Sequence, residues 1–497
     1  MTPSRRGTFT GLLAWGTIAL APVLAAEDPI VRFIQQQRIE ETDKGSEDQF
    51  GTSVALWGDT ALVGTPGDDG SGSAAGAAYV FTRDTNGRWQ QGQKLTASGG
   101  TAGDLFGSAI TLRDQVAVVG ARSDHTQGNF AGAAYIFVRD EQGVWNEVQK
   151  LVASDGAAGH LFGFSVALGD GFIVIGARGN EDRNDFTGEV YVFRQDANGL
   201  WAEVQKLTAS DAAVGDSFGA SVTVSGETIL VGAPGRDDRG SAAGAAYLFT
   251  LEGSGQWREW HKLTASDGAA GDEFGYSVAL SEQGALVGAR FATGEEDHDK
   301  DGEKDRIGAA YAFAYGVSHI GTQWSEAQKL LPSEEETSQE FGSSLAIYEK
   351  TALVGVRRDR EKGDAAGAVF VFTFMTDAQG AQQWREQQKM TARDAVAGDE
   401  FGASVALFGK IAVIGAPFDD LFVEGEEEDE DDDDVDDETF TNVGSAYIVV
   451  TTESPDSCAI RTDYANAQCR GTVEVASLAD LDEYIGLCPR IPVTGRE

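Results

Sequence analysis

The chain has 497 residues, longer than one ordinary core organises, so either several domains or a repeat architecture is required. Its 38 basic and 80 acidic side chains leave a net charge of -42, which excludes nucleic acid and anionic lipid surfaces as partners and favours multivalent cations. Gly is abundant (63 residues), Pro is scarce (10), and no stretch alternates a strand with long helical patterning, which points to an all-β chain.

Residues 1–26 read as an export signal: Arg5 and Arg6 precede an apolar run from Leu12 to Leu24, and Ala25-Ala26 offers small residues for cleavage. The run is short for a membrane span and is broken by Gly16 and Pro22. The mature chain is therefore expected to be secreted, extracellular or on the cell surface, with the periplasm as another compartment the signal allows.

From residue 30 to 451 the sequence repeats. Phe-Gly recurs at Phe50, Phe106, Phe162, Phe218, Phe274, Phe341 and Phe401, spaced by 56 four times and then by 67 and 60. Each copy holds four strand-length apolar segments. In copy one they are Gly51-Thr-Ser-Val-Ala-Leu56, Ala61-Leu-Val-Gly64, Ala77-Ala-Tyr-Val-Phe81 and Trp89-Gln-Gln-Gly-Gln-Lys-Leu95. The interval from Phe to the second segment's Gly is 14 in all seven copies, and that from the fourth segment's Lys or Arg to the next Phe is 12. Length varies elsewhere. Between the second and third segments, copy five has 8 extra residues and copy seven 17.

Four strands joined by tight turns such as Asn86-Gly87 form an antiparallel meander, which cannot bury both faces alone. Radial stacking of seven such sheets supplies the neighbours, so the expected fold is a seven-bladed β-propeller. Copy seven lacks a fourth segment, but Phe33-Ile-Gln-Gln-Gln-Arg-Ile39 has its internal spacing, five from Phe33 to Arg38 as from Trp89 to Lys94. This N-terminal strand is expected to complete the last blade. The repeated Lys of the fourth strands (Lys94, Lys150, Lys206, Lys262, Lys329, Lys389) reads as a guard against edge-to-edge aggregation, and the Trp at their starts as packing.

Phe218-Gly-Ala-Ser-Val and Leu230-Val-Gly-Ala-Pro234 carry a pattern that resembles the FG-GAP repeats of integrin α-subunit propellers and their bacterial relatives. The resemblance implies an extracellular seven-bladed propeller, often calcium-binding and adhesive or protein-binding. It does not transfer the calcium loops, which in integrin-type propellers lie between the first and second strands, where this chain has tight turns such as Trp57-Gly58-Asp59.

A cation loop is instead expected in the insertion of copy five. Asp297-His-Asp299-Lys-Asp301-Gly302-Glu303-Lys-Asp305 alternates carboxylates that converge on one ion when the loop wraps it. Asp297, Asp299, Asp301 and Asp305 supply side chains and Glu303 a backbone carbonyl, a hard-oxygen set suited to Ca²⁺. The run from Glu424 to Glu438 holds thirteen acids without spaced ligands and reads as disorder. Both insertions fall in the connection that shares a face with the interblade links, where partner binding is expected.

No Gly-x-Ser-x-Gly elbow, phosphate-cradling loop or His-Glu-x-x-His helix occurs, and none of the five histidines sits in a metal-ligand pair. The chain is thus read as no enzyme but a calcium-assisted binding or adhesion scaffold for an extracellular protein or glycan. A propeller hydrolase acting on polysaccharide is the alternative, because carboxylates assembled across loops leave no linear motif. Residues 452–497 leave the repeat and hold all three cysteines, Cys458, Cys469 and Cys488, of which two can pair.

Overall fold

The computed structural model describes residues 31–179, 186–295, 305–318, 321–335, 338–377, 380–423 and 438–451. The chain divides into two units, Met1–Thr452 and Glu453–Glu497, and only the first is described. The expected export signal, the acidic stretch 424–437 and the cysteine-bearing tail lie outside the described residues. Among the described residues no helix occurs, so none is long and apolar enough to cross a membrane.

Seven four-stranded antiparallel sheets form the blades. Blade one is Ser53–Trp57, Thr60–Thr65, Ala77–Arg83 and Trp89–Leu95, paired in that order. The first strands of all seven blades line a central cavity of about 270 Å³ with aliphatic side chains such as Val54, Ile110, Leu168 and Val278. The fourth strands are therefore outermost. Blade seven is assembled from Ser404–Phe408, Ile411–Ala416, Ser445–Thr451 and the N-terminal Phe33–Ile39, whose register runs from Phe33↔Thr451 to Ile39↔Ala446. The expected latch is present, and it gives every blade four strands.

Burial follows position in the blade. Second strands such as Thr60–Thr65 are buried along their whole length, because neighbouring blades cover both faces. Fourth strands alternate, with Trp89 and Leu95 inside and the residues between them at the surface. The core consists of interblade layers. In one of them Leu62 and Val80 of blade one meet Phe106, Val119, Tyr135 and Trp145 of blade two. In six blades the Phe of Phe-Gly packs beneath two aromatic rings of its own third strand, as Phe106 does edge-on with Tyr135 (5.5 Å) and Phe137 (6.0 Å); in blade seven Phe401 meets Tyr447 (5.2 Å), and Val449 stands at the second place.

The glycines at the 14-residue interval have one shared cause. A Cβ on Gly64 would stand 2.0 Å from the carbonyl oxygen of Gly107 in the next blade. Gly107 itself has φ +92°, and its Cβ would stand 2.2 Å from the Ala77 carbonyl. Adjacent blades therefore approach backbone to backbone, and the Ser53 hydroxyl donates to the Gly107 carbonyl at 2.7 Å.

Between the third and fourth segments copy five has three extra residues and copy six four, and these lengthen the outer hairpins, Ala309–Ser318 with Gly321–Leu330 and Ala368–Thr376 with Gln382–Met390. In copy seven, Leu421–Val423 pairs with Glu438–Phe440 to form a two-stranded ribbon at the ends of the acidic stretch.

Candidate functional site

An antiparallel meander puts the second-to-third loop and the link to the next blade at one end of each sheet. In the structure these segments bind each other: Gly103 donates its N–H to Ser73 O (2.8 Å), Leu105 to Ala74 O (3.2 Å) and Phe106 to Ala75 O (3.0 Å). Across the seam the same pattern recurs, with Glu47 N to Thr441 O and Phe50 N to Val443 O, both 2.8 Å. One continuous loop face results.

A Tyr, Asp and Lys station recurs on this face. In blade one the Tyr79 hydroxyl lies 2.9 Å from both Asp43 Oδ1 and Asp68 Oδ2. Lys94 Nζ is 2.6 Å from Asp43 and 2.6 Å from Asp68, above the Tyr79 ring. Tyr135, Asp124 and Lys150 repeat the arrangement in blade two, and Tyr247, Asp211 and Lys262 in blade four. Burial opposes the charge of Lys94, but hydrogen bonds to Asp43 and Asp68 outweigh it and hold the ammonium above the ordinary lysine range. The repeated lysines are thus not bare edge guards, as their sequence position suggested: each ammonium is drawn into ion pairs on the loop face. The Trp reading stands, since Trp89, Trp145 and Trp257 are each 3 % exposed.

Among the described residues, blade one alone adds a further feature. Glu41, Asp48 and Asp68 are 2–3 % exposed, and one oxygen from each lies within 4.8 Å of the others. Asp48 Oδ2 accepts from Gly45 N (2.6 Å) and Asp68 Oδ1 from Gly70 N (2.9 Å). As a carboxylate, Glu41 has no donor group aimed at either oxygen. Burial, then the charge of Asp48 and a proton shared with it, then the charges of Asp68 and Asp43, push the Glu41 carboxyl up to about 9. Gly67 lets the loop close over the pocket, because a Cβ there would meet the Glu47 carbonyl oxygen at 1.8 Å. Sequence reasoning missed Glu41, although a signal existed. Nine residues before each Phe-Gly the other copies carry Ala97, Ala153, Ala209, Ala265, Pro332 and Ala392.

Nearer the axis, the residue after the second strand is Arg122, Arg178, Arg290 or Arg357 in four blades and Pro66, Pro234 or Pro417 in three. Arg178 lies over Phe164 (5.1 Å) and Phe186 (5.7 Å). Arg290 stacks on Tyr276 at 3.9 Å and pairs with Glu273 at 2.7 Å, and Arg357 pairs with Glu340 at 2.6 Å. Guanidinium groups held by aromatic rings and carboxylates are positioned to recognise polar or anionic groups of a partner.

Of the expected calcium loop, Asp297, Asp299, Asp301 and Glu303 lie outside the described residues, and Asp305 is at its described edge. The base of the insertion is pinned on the loop face by the Thr293↔Arg306 bridge and by Gly294 N donating to Asp305 O (2.8 Å). Arg306 also reaches Asp272 at 3.0 Å.

A family model described as the FG-GAP repeat matches residues 33–81, 89–137, 145–193, 201–249, 257–313, 324–372 and 384–449. No curated protein matches the chain. Similar solved structures include a protein from Lactobacillus plantarum, 13% identical with a TM-score of 0.40, the match covering 70% of this chain and 86% of that one. They also include the periplasmic gluconolactonase PpgL of Pseudomonas aeruginosa, 14% identical with a TM-score of 0.43, covering 69% of this chain and 86% of that one. The second corrects the sequence reading of the chain as no enzyme. The missing linear motifs do not rule out chemistry on this fold, because residues assembled across loops leave none.

Proposed function

The chain belongs to the FG-GAP repeat family, and on that footing we propose that it is an exported, calcium-assisted binding scaffold that presents its loop face to a protein or glycan partner. The observation that carries this reading is where the seven copies differ. Their strands, glycine contacts and aromatic layers repeat, whereas the insertions of copies five and seven and the arginines of four blades gather at one end. Variable loops on a rigid repeated frame are how propellers and sandwiches acquire ligands. Calcium at Asp297, Asp299, Asp301, Glu303 and Asp305 would order the copy-five loop beside Asp272 and the interblade link.

Glycan and peptide arrays probed with labelled protein, with calcium and with chelator, test the reading. Calcium-dependent binding that falls at least tenfold in Arg178→Glu/Arg290→Glu and in Asp297→Asn/Asp299→Asn/Asp301→Asn is the expected result. Binding indifferent to both variants would overturn it. Release of reducing ends from a bound glycan would replace the scaffold with the polysaccharide hydrolase.

A further inference from the structure

We infer that Glu41, Asp48 and Asp68 form a second, buried cation site, distinct from the copy-five loop, that takes Ca²⁺ and fastens the seam of the ring. Three observations converge. The carboxylates lie within 4.8 Å of one another at 2–3 % exposure. As a carboxylate, Glu41 is buried with no donor group aimed at either oxygen, a costly state unless a proton shared with Asp48 or a cation compensates it. Glu41 also occupies a position held by alanine in five of the other six interblade links, so packing alone does not call for an acid there.

Charge and ligand type name the ion. Lys94 is the ammonium at contact distance among the described residues, and it is shared with Asp43, so with all three buried carboxylates ionised at least two negative charges are left to balance. A divalent cation balances them. All three donors are carboxylate oxygens, which disfavours Zn²⁺. Mg²⁺ demands near-ideal octahedral geometry and keeps several waters, whereas Ca²⁺ accepts irregular sets of carboxylate oxygens, so Ca²⁺ fits best.

The location supplies the role. Glu41 lies two residues past the latch strand Phe33–Ile39, Asp48 lies two before Phe50, and Asp68 belongs to the second-to-third loop of blade one. At every other interface the link continues from a blade of four sequential strands. At the seam the link continues from a strand that joins blade seven by pairing with Ser445–Thr451 and is not preceded by that blade's other strands, while Glu47 and Phe50 hydrogen-bond to Thr441 and Val443. An ion shared by the link and by blade one anchors the latch strand's exit onto blade one, beside the place where the ring lacks that continuity.

The test uses the full chain with Asp297, Asp299 and Asp301 changed to Asn, so that the copy-five loop is silent. Calorimetric titration with calcium in physiological salt is expected to find one site per chain and a Tm that rises with calcium. Adding Glu41→Ala should weaken that site by roughly a hundredfold and abolish the Tm rise. The alanine is already used at this place in five links, so the fold should be kept, and equal or higher Tm in chelator will show it. Glu41→Gln, closer in size, serves if the alanine variant fails to fold. Absence of calcium binding in the loop-silent chain, or binding that Glu41→Ala or Glu41→Gln leaves intact, would overturn the site and leave Glu41 and Asp48 as an acid pair sharing a proton.

Discussion

Gln388 grips the backbone of Phe33 from 355 residues away: its Nε2 donates to the Phe33 carbonyl (2.9 Å) and its Oε1 accepts the Phe33 N–H (2.8 Å). The same clasp joins Gln37 to Trp89, Gln93 to Trp145, Gln149 to Trp201, Gln205 to Trp257 and Gln328 to Trp384. Each satisfies a backbone pair on an outermost strand that would otherwise face solvent. Gln388→Ala is expected to cost about 1–2 kcal/mol in denaturant unfolding, and so is Gln149→Ala. Only the first should speed amide exchange selectively across Phe33–Ile39, because Gln388, unlike Gln149, holds the latch strand. Equal exchange patterns in the two variants would contradict the special status of the seam.

The remaining interface has His261 where the others have Gln, and its ring nitrogen meets the Trp260 carbonyl instead (2.7 Å). His261→Gln should complete the belt by reaching Trp324, with a gain of about 0.5–1.5 kcal/mol. Chemical denaturation of both chains at one fixed pH reads the gain.

Asp399 is 2 % exposed, and burial, reinforced by the Asp419 charge, pushes its carboxyl up to about 7 despite the Val396 N–H it accepts. A carboxyl raised on folding binds its proton more tightly in the native state. Its stabilisation is therefore complete below the ordinary carboxylate range and is lost as pH rises through about 7. Asp399→Asn keeps an acceptor for Val396 and has no proton to lose. Relative to the parent it should gain about 2 kcal/mol between pH 5 and pH 8, visible in urea midpoints at successive pH values. A constant difference across that window would show that Asp399 does not titrate there.

Tyr135 donates to buried Asp124 at 2.9 Å, while Lys150 and the Thr126 N–H hold the same carboxylate. Tyr135→Phe should cost only about 1 kcal/mol, since blade six already carries Phe370 at this place, beside Asp359 and Lys389. Adding Lys150→Met leaves a buried charge with little compensation and should raise the loss to about 3 kcal/mol or more. Thermal unfolding of the single and double variants measures both.

The ring and its latch were legible because both follow from spacing: Phe-Gly to Gly in every copy, and Phe33 to Arg38 as in Trp89 to Lys94. Pairing between loops was not. Lys94 looked like an edge charge until folding brought Asp43, 51 residues earlier, to its ammonium. Glu41 was hidden for a different reason. A repeat is recognised by what its copies share, and Glu41 matters as the copy that departs from alanine. The copy-five carboxylates are readable as a motif because their ligands are local in sequence, whereas Asp48 and Asp68 meet Glu41 only through a loop closing over Gly67.

The pairing of Phe33–Ile39 with Ser445–Thr451 also sets an order of events in time. A chain made from its N-terminus exposes this strand first, yet its partner emerges more than 400 residues later. Until then the strand has an open edge and Phe33 has no layer to enter, so the last blade forms late through a contact of very high sequence separation. Six blades can stack progressively during synthesis or passage through a membrane pore, but closure must wait for release of the seventh. A truncation before Thr451 would therefore strand both ends at once, as an open arc with two sticky edges.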